Sequence, residues 1–172
     1  MGVLDWIYNF MGPFGLLNTQ TKILILGLDK VGKSTLLKAI AYKRPECFQS
    51  APFSGSEELV IHNLRFVTRN LGGYQHVHGI AGIILLVDAA DYHRFGKVKA
   101  ELDTLLATNE IHAVPIVVLG NKIDSLYAVS EDELRYELDL DRVDGQPIKL
   151  YMCSLAFGQG YREALRWLAR HI

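Results

Sequence analysis

The sequence predicts a doubly wound α/β domain with a mostly parallel, six-stranded sheet. The first observation behind this prediction is a pair of unbroken apolar runs, 82–90 and 115–122, which are typical of strands covered on both faces. The second is that strand-like and helix-like segments alternate after residue 20, which implies right-handed crossovers between parallel strands. With 172 residues, 49% of them hydrophobic, the chain is long enough to bury one core.

The strand predictions follow the chain from residue 22 onwards. The segments are 22–27, 57–62, 65–71, 82–90, 115–122 and 149–154. The second and third alternate apolar and polar residues with period two around His62 and Asn63, which predicts a hairpin. That hairpin adds one antiparallel edge strand to the sheet.

Helical patterns lie between the predicted strands. Helices are predicted from 33 to about 42, over 95–108, from Ser130 onwards and over 162–171. The second of these has apolar side chains at helical spacing. Ser130, with Glu133 three residues later, is typical of a capped helix start.

A glycine-rich turn joins the first strand to the first helix. Its sequence, Gly27-Leu28-Asp29-Lys30-Val31-Gly32-Lys33-Ser34, fits the pattern G-x-x-x-x-G-K-[ST]. In such a loop the backbone N–H groups curl around phosphate, and the following helix N-terminus adds partial positive charge. We expect Lys33 to reach the β- and γ-phosphates as a catalytic residue, and Ser34 to ligate Mg²⁺. A chance glycine-rich turn is the alternative, but the strand–loop–helix context favours a phosphate site.

A second motif indicates which base is bound. Asn121-Lys122-Ile123-Asp124 lies at the end of a buried strand, where open α/β sheets bind their ligands. The Asp124 carboxylate can accept hydrogen bonds from guanine N1–H and from the exocyclic amine, a donor pair that adenine lacks. A polar strand end is the alternative. With the phosphate loop upstream and Ser154 near the end of the last strand, GDP and GTP are the expected ligands.

These motifs resemble those of the Sar family, the small COPII coat GTPases related to the Arf family. The similarity runs nearly end to end, through DWIY, GLDKVGKSTLL, SEEL, LGG, LLVDAAD, LGNKID, MCS and QGYREALRWLARHI. It implies a P-loop small GTPase G domain over residues 21–172. It also implies that the nucleotide is held by Asp29, Lys30, Val31, Gly32, Lys33, Ser34, Thr35, Asn121, Lys122, Asp124, Ser154, Leu155 and Ala156, and Mg²⁺ by Ser34, Asp29 and Asn70.

The chain departs from the family in the switch regions. Ala51 replaces the threonine that ligates Mg²⁺ in the GTP state, and Asn70 replaces the metal-side aspartate. Tyr74 replaces the histidine that positions the attacking water, so Tyr74 is the second catalytic candidate. The connection 73–82 is roughly half the family's length, too short for the usual switch II helix.

Two histidines in this short connection have two interpretations. His76 and His78 share a face if the segment is extended, which is compatible with a metal site or a displaced catalytic histidine. Solvated loop histidines are the other interpretation, and the one we favour.

Three hypotheses follow from the altered switches. The first is a GTPase whose slow hydrolysis is completed by a group that the coat supplies in trans. The second is a divergent pseudo-GTPase that holds guanine nucleotide without switching. The third is a gene model that lacks codons in the region of residues 70–82.

Residues 1–20 are predicted to form an amphipathic, membrane-binding segment. Asp5 is the only charge in 1–17, and four aromatic side chains, Trp6 among them, crowd the segment. A signal peptide requires a basic start and a small-residue cleavage site, and N-myristoylation requires Ser or Thr at position 6; neither condition is met. Such a segment can lie in the membrane interface. The alternative is a helix folded back on the protein's own core.

Composition narrows the remaining classes of function. A formal net charge of -1 gives no support for nucleic-acid binding. Cys47 and Cys153 match no zinc or redox spacing, which is typical of a reducing cytosol.

The resemblance implies a cytoplasmic protein, peripheral on the endoplasmic reticulum membrane and Golgi. Its implied partners are a membrane exchange factor and the COPII inner coat adaptor.

Overall fold

The computed structural model describes residues 20–41, 56–61, 63–74 and 78–172, together with the backbone of 48–50. The strands are β1 (Thr21–Gly27), β2 (Phe48–Ser50), β3 (Glu57–Ile61), β4 (Leu64–Asn70), β5 (Ile80–Asp88), β6 (Ile116–Asn121) and β7 (Ile148–Met152). The α-helices are α1 (Lys33–Ile40), α2 (Phe95–Leu106), α3 (Glu131–Glu137) and α4 (Tyr161–Ala169). Of the predicted membrane segment, 1–19 lies outside the described residues.

One sheet runs through the molecule in the order β2-β3-β4-β1-β5-β6-β7. The pairs from β4 to β7 are parallel, whereas β2–β3 and β3–β4 are antiparallel. The predicted mostly parallel α/β fold is therefore confirmed, with a strand at each of the six predicted places. β2 is an addition: its three residues pair with β3, so β3 is not the edge of the sheet. Three residues are too few for an apolar period to be visible in the sequence.

Two strands of the sheet coincide with the apolar runs that were predicted to be covered on both faces. All six residues of β6 are buried. Helix α2 buries Phe95, Val98, Leu102 and Leu105, which recur on one face of the helix. The Ser130 Oγ accepts a hydrogen bond from the Glu133 N–H at 3.2 Å, so the predicted helix cap is confirmed. In the part of the chain that the structure describes, no helix has the length and apolarity needed to span a membrane.

The β4–β5 connection is short for a crossover between parallel strands, which usually takes a dozen or more residues. β4 and β5 lie on opposite sides of β1, and residues 71–79 join them. The described residues of this connection, 71–74 and 78–79, contain no helix. At its start, Leu71 N–H donates to the Gly27 carbonyl at 3.2 Å and Gly73 N–H donates to the Asn70 carbonyl at 2.9 Å. The turn is thereby held against the end of β1.

Candidate functional site

The carboxyl ends of four neighbouring strands meet at one edge of the sheet. The phosphate loop 27–34 follows β1, Asp88 ends β5, Asn121 ends β6 and Ser154 follows β7. A sheet that reverses its winding direction leaves a crevice at this edge, where α/β folds bind ligands. The parallel pairing thus brings together motifs that are far apart in the sequence.

Two glycines allow the phosphate loop to close tightly. A Cβ at Gly27 would lie 2.6 Å from Val31 Cγ2, and a Cβ at Gly32 would lie 2.7 Å from Asn121 Nδ2. Gly32 also has φ +111°, which side chains rarely tolerate. Lys30 also has a positive φ, 62°, although it lacks the conformational freedom of glycine. At both glycines the loop backbone therefore lies close against neighbouring side chains, which a Cβ would displace.

The Lys33 ammonium lies over this loop. Its Nζ donates to the carbonyls of Gly27 at 2.9 Å and Leu28 at 2.6 Å. Burial lowers the pKa of Lys33, while the carboxylates of Asp29 and Glu57 oppose that shift. The cation is thus partly desolvated, and its hydrogen-bond partners among the described residues are neutral carbonyls, which it can exchange for phosphate oxygens.

The side chain of Asn121, at the end of β6, links the phosphate loop to the loop after β7. Its Nδ2 donates to the Val31 carbonyl at 2.9 Å, and its Oδ1 accepts from the Leu155 N–H at 3.0 Å. The Cys153 Sγ lies 3.7 Å from the same Oδ1. Asn121 and Val31 are buried. Asn121 and Val31 were both predicted to hold the nucleotide, and in the structure the hydrogen bond between them holds the loops in place.

The remaining residues of the base-binding motif have different surroundings. Asp124 is exposed, and its Oδ1 accepts from the Ser154 hydroxyl at 2.5 Å. Lys122 Nζ is held by the buried carboxylate of Asp88 at 2.6 Å. The Leu155 side chain is buried, whereas Ala156 is exposed. A base placed against this edge would therefore meet an oriented carboxylate.

The candidate magnesium ligands lie on the exposed rim of the same edge. Ser34 is exposed at the start of α1, and Asn70 is exposed at the end of β4, in register with Gly27. Asp29 Oδ1 already accepts a hydrogen bond from Arg94 at 3.1 Å. Among the described residues no cluster of three or more metal-binding side chains occurs. Mg²⁺ in phosphate sites takes few protein ligands and keeps phosphate and water oxygens, so the Ser34 hydroxyl and the Asn70 amide oxygen are ligands of a suitable chemical type, and their role stays a prediction.

Tyr74 points away from the phosphate loop. Its side chain is 4% exposed and belongs to the hydrophobic core. It lines a cavity of about 390 Å³ whose other walls include Ile80, Thr108 and Ile111, and no phosphate-loop residue lines that cavity. The predicted catalytic role of Tyr74 stays a prediction, without support from this placement.

The other switch positions give less information. His78 is exposed, with its Nδ1 3.3 Å from Glu110 Oε2. His76 and Ala51 lie outside the described residues.

The sequence analysis did not identify the charged side chains that pair with residues of the phosphate loop and of the Asn121–Asp124 motif. Asp88 pairs with Lys122, and Arg94 pairs with Asp29 from 65 residues away. The signal for Asp88 was its place at the end of an apolar run. Arg94 had no comparable signal, because its partner is distant in the sequence.

Comparison with known proteins agrees with this geometry. The profile of the ADP-ribosylation factor family, Arf, matches residues 7–172. The chain is 30% identical over 191 residues to Small COPII coat GTPase SAR1 of Giardia intestinalis, covering 100% of both chains. It is 30% identical over 197 residues to Small COPII coat GTPase SAR1 of Nicotiana tabacum, again with 100% coverage of both. It is 32% identical over 181 residues to ADP-ribosylation factor-like protein 1 of Caenorhabditis elegans, covering 99% of this chain and 97% of the relative.

The matched region includes the phosphate loop, the Asn121–Asp124 motif and the strands that bring them together. The chain therefore belongs to the Arf family of small GTPases, whose members bind guanine nucleotide, generally with Mg²⁺.

Proposed function

We propose that this protein binds GDP and GTP with Mg²⁺ at the carboxyl edge of its sheet and hydrolyses GTP slowly. The observation that carries the proposal is the Asn121 side chain, which joins the phosphate loop to the loop after β7. Because of this link, a phosphate cradle and the Asp124 carboxylate belong to one site. A ligand with both a polyphosphate and a guanine base matches that arrangement.

Each proposed contact uses a group that the fold leaves available. The backbone N–H groups of 29–35 would hold the phosphates, and the Lys33 ammonium would exchange its carbonyl partners for phosphate oxygens. Asp124 would accept from guanine N1–H and the exocyclic amine, with its orientation set by Ser154. A bound Mg²⁺ would supply charge neutralisation at the phosphates, held by Ser34 and Asn70.

We further propose a Sar-like role in vesicle transport from the endoplasmic reticulum to the Golgi. The SAR1 relatives cover the whole chain, and Trp6 stands where Arf proteins carry a myristoylation signal. In this proposal, residues 1–20 bind the membrane and 21–172 form the G domain. A membrane exchange factor loads GTP, and the COPII inner coat adaptor is recruited. The protein is then cytoplasmic and peripheral on the endoplasmic reticulum and Golgi.

A second candidate function is that of a guanine-nucleotide-binding module that does not switch. Two features favour it. Asn70 offers no negative charge at the end of β4, and the described residues between β4 and β5 contain no helix. Both features weaken the contacts by which GTP and GDP complexes differ.

Titration calorimetry with GDP and ADP tests nucleotide binding. GDP is expected to bind, and ADP to bind about 30- to 150-fold more weakly, because adenine leaves the Asp124 carboxylate unpaired at a cost of about 2–3 kcal/mol. Asp124→Asn should weaken GDP by about 2 kcal/mol, since it removes a charge-assisted pair. Asp144→Asn, at another exposed carboxylate, is the matched control and should have no effect. ADP binding as tight as GDP binding would contradict the proposal.

Single-turnover GTP hydrolysis separates the two candidate functions. A Sar-like enzyme should hydrolyse GTP faster when a purified COPII inner coat adaptor is added. A non-switching module should show the same slow rate with and without the adaptor.

A further inference from the structure

Arg94 is the side chain that connects helix α2 to the phosphate loop. It lies in the 3-10 turn Tyr92–Arg94 that leads into α2. Its Nη1 donates to both the carbonyl oxygen and the Oδ1 of Asp29, at 3.1 Å each, while its Nε donates to Asp91 Oδ2 at 2.5 Å. One guanidinium therefore binds two carboxylates and one backbone carbonyl.

The Asp29 carboxylate places a negative charge in a loop that would bind an anion. It occupies the third position of the phosphate loop and its side chain is 72% exposed. Burial lowers the pKa of the neighbouring Lys33 ammonium, and of the two paired charges Asp29 raises that pKa and Arg94 lowers it. An unpaired carboxylate here would repel phosphate and compete for the Lys33 ammonium.

The geometry of Arg94 suits the neutralisation of this carboxylate. Its side chain is 29% exposed, so the guanidinium half of the pair is partly shielded from water, although Asp29 is exposed. Asp91 holds the opposite side of the guanidinium, and Asp91 N–H donates to the Asp88 carbonyl at 3.2 Å. Asp88 in turn holds Lys122 of the base-binding motif. Segment 88–94 thus supports both halves of the site.

We propose that Arg94 is a positioning residue for the phosphate loop, which neutralises and orients Asp29 so that the loop accepts the phosphates of a guanine nucleotide. Arg94 sets the affinity for the phosphate part of the ligand and leaves the affinity for the base unchanged. The inference rests on the proposed nucleotide binding and adds to it a determinant that lies outside the motif.

The test compares a ligand with phosphates to one without. GDP affinity is measured by calorimetry, and guanosine affinity by ligand-observed NMR, for wild type, Arg94→Gln, Asp29→Asn and the double variant. Arg94→Gln should weaken GDP about tenfold or more and change guanosine less than twofold. The double variant should recover most of the GDP affinity, because the carboxylate that needed neutralising is gone.

Two further variants control for charge and for folding. Arg142→Gln removes one positive charge from an exposed arginine paired with Asp139, and should leave GDP affinity unchanged. Arg94→Lys keeps the charge but cannot donate to both carboxylates in the same way, so it should give an intermediate loss. If Arg94→Gln does not fold, as judged by circular dichroism, the Arg94→Lys measurement decides.

Three results would overturn the inference while leaving the proposed function in place. These are unchanged GDP affinity in the Arg94 variants, equal losses for GDP and guanosine, and a double variant that binds GDP no better than Arg94→Gln. Absence of GDP binding by the wild-type protein would instead overturn the proposed function, and this inference with it.

Discussion

Asn121 Nδ2 donates a hydrogen bond to the carbonyl oxygen of Val31 at 2.9 Å, across 90 residues of sequence. The side chain is buried, and its Oδ1 accepts from Leu155 N–H. Both ends of one amide are therefore satisfied by backbone groups of two other loops. An amide is the side chain suited to this position because it offers a donor and an acceptor together.

Replacing Asn121 should destabilise the protein even without nucleotide. Asn121→Ala leaves buried backbone groups of Val31 and Leu155 unpaired, and should lower the free energy of unfolding by about 2–4 kcal/mol. Asn121→Asp loses the donor and buries a charge, so its loss should be at least as large. Urea unfolding followed by circular dichroism measures both variants. Asn109→Ala, at an exposed asparagine, is the control, and equal stability of all variants would contradict the linking role.

Cys153 should make stability fall at alkaline pH. Burial raises its thiol pKa from 9.0 to about 12, so the folded chain keeps a proton that the unfolded chain releases. The thiol's contribution is therefore fully present below pH 9 and decreases between pH 9 and 12, by about 1.4 kcal/mol per pH unit.

The measurement is urea unfolding at pH 8 and pH 10 in a Cys47→Ser background, so that Cys153 is the one thiol that titrates. Adding Cys153→Ala should reduce the stability lost between these two pH values. Equal losses with and without Cys153 would show that the thiol is not protected from ionisation.

The altered switch positions should make discrimination between GTP and GDP poor. Without a metal-side carboxylate at position 70 or a threonine at position 51, few contacts depend on the γ-phosphate. Intrinsic GTP hydrolysis should be very slow, since water-orienting and charge-stabilising groups in this class are worth about 10³–10⁵ in rate. Asn70→Asp combined with Ala51→Thr should raise the preference for GTP.

Affinities for GDP and a non-hydrolysable GTP analogue, with single-turnover rates, provide the check. Gln20→Glu adds the same charge at an exposed site before β1, at the opposite end of that strand from the phosphate loop, and should change neither quantity. An ordinary small-GTPase rate in the unmodified protein would mean that another group, such as a nearby histidine or serine, performs the missing role.

The amino-terminal segment should be required for membrane binding and not for nucleotide binding. Deleting residues 1–17 removes a stretch whose only charge is Asp5, so flotation with liposomes should be lost while GDP affinity is kept. Trp6→Ala with Phe10→Ala and Phe14→Ala tests the same surface at constant length. Loss of folding after deletion would favour the alternative in which the segment packs on the core.

Local sequence patterns were sufficient for most elements of this protein. β6 was visible as an apolar run because parallel strands are covered on both faces, and the Ser130 cap was visible because its partner is three residues away. The phosphate loop was recognisable for a related reason: Gly27 and Gly32 stand at positions of one short turn where a Cβ would clash with its neighbours. Where the residues that determine a local structure lie within about ten positions of one another, their spacing in the sequence predicts it.

Tertiary structure alone decided which side chains support the site and which do not. The Arg94–Asp29 and Lys122–Asp88 pairs form because parallel pairing places the ends of β1, β5 and β6 side by side. Tyr74 belongs to the hydrophobic core and lines a cavity together with Thr104 of α2, so its burial depends on contacts between segments that are distant in the sequence. Such contacts depend on the order of the strands in the sheet, which a local spacing of residues does not show.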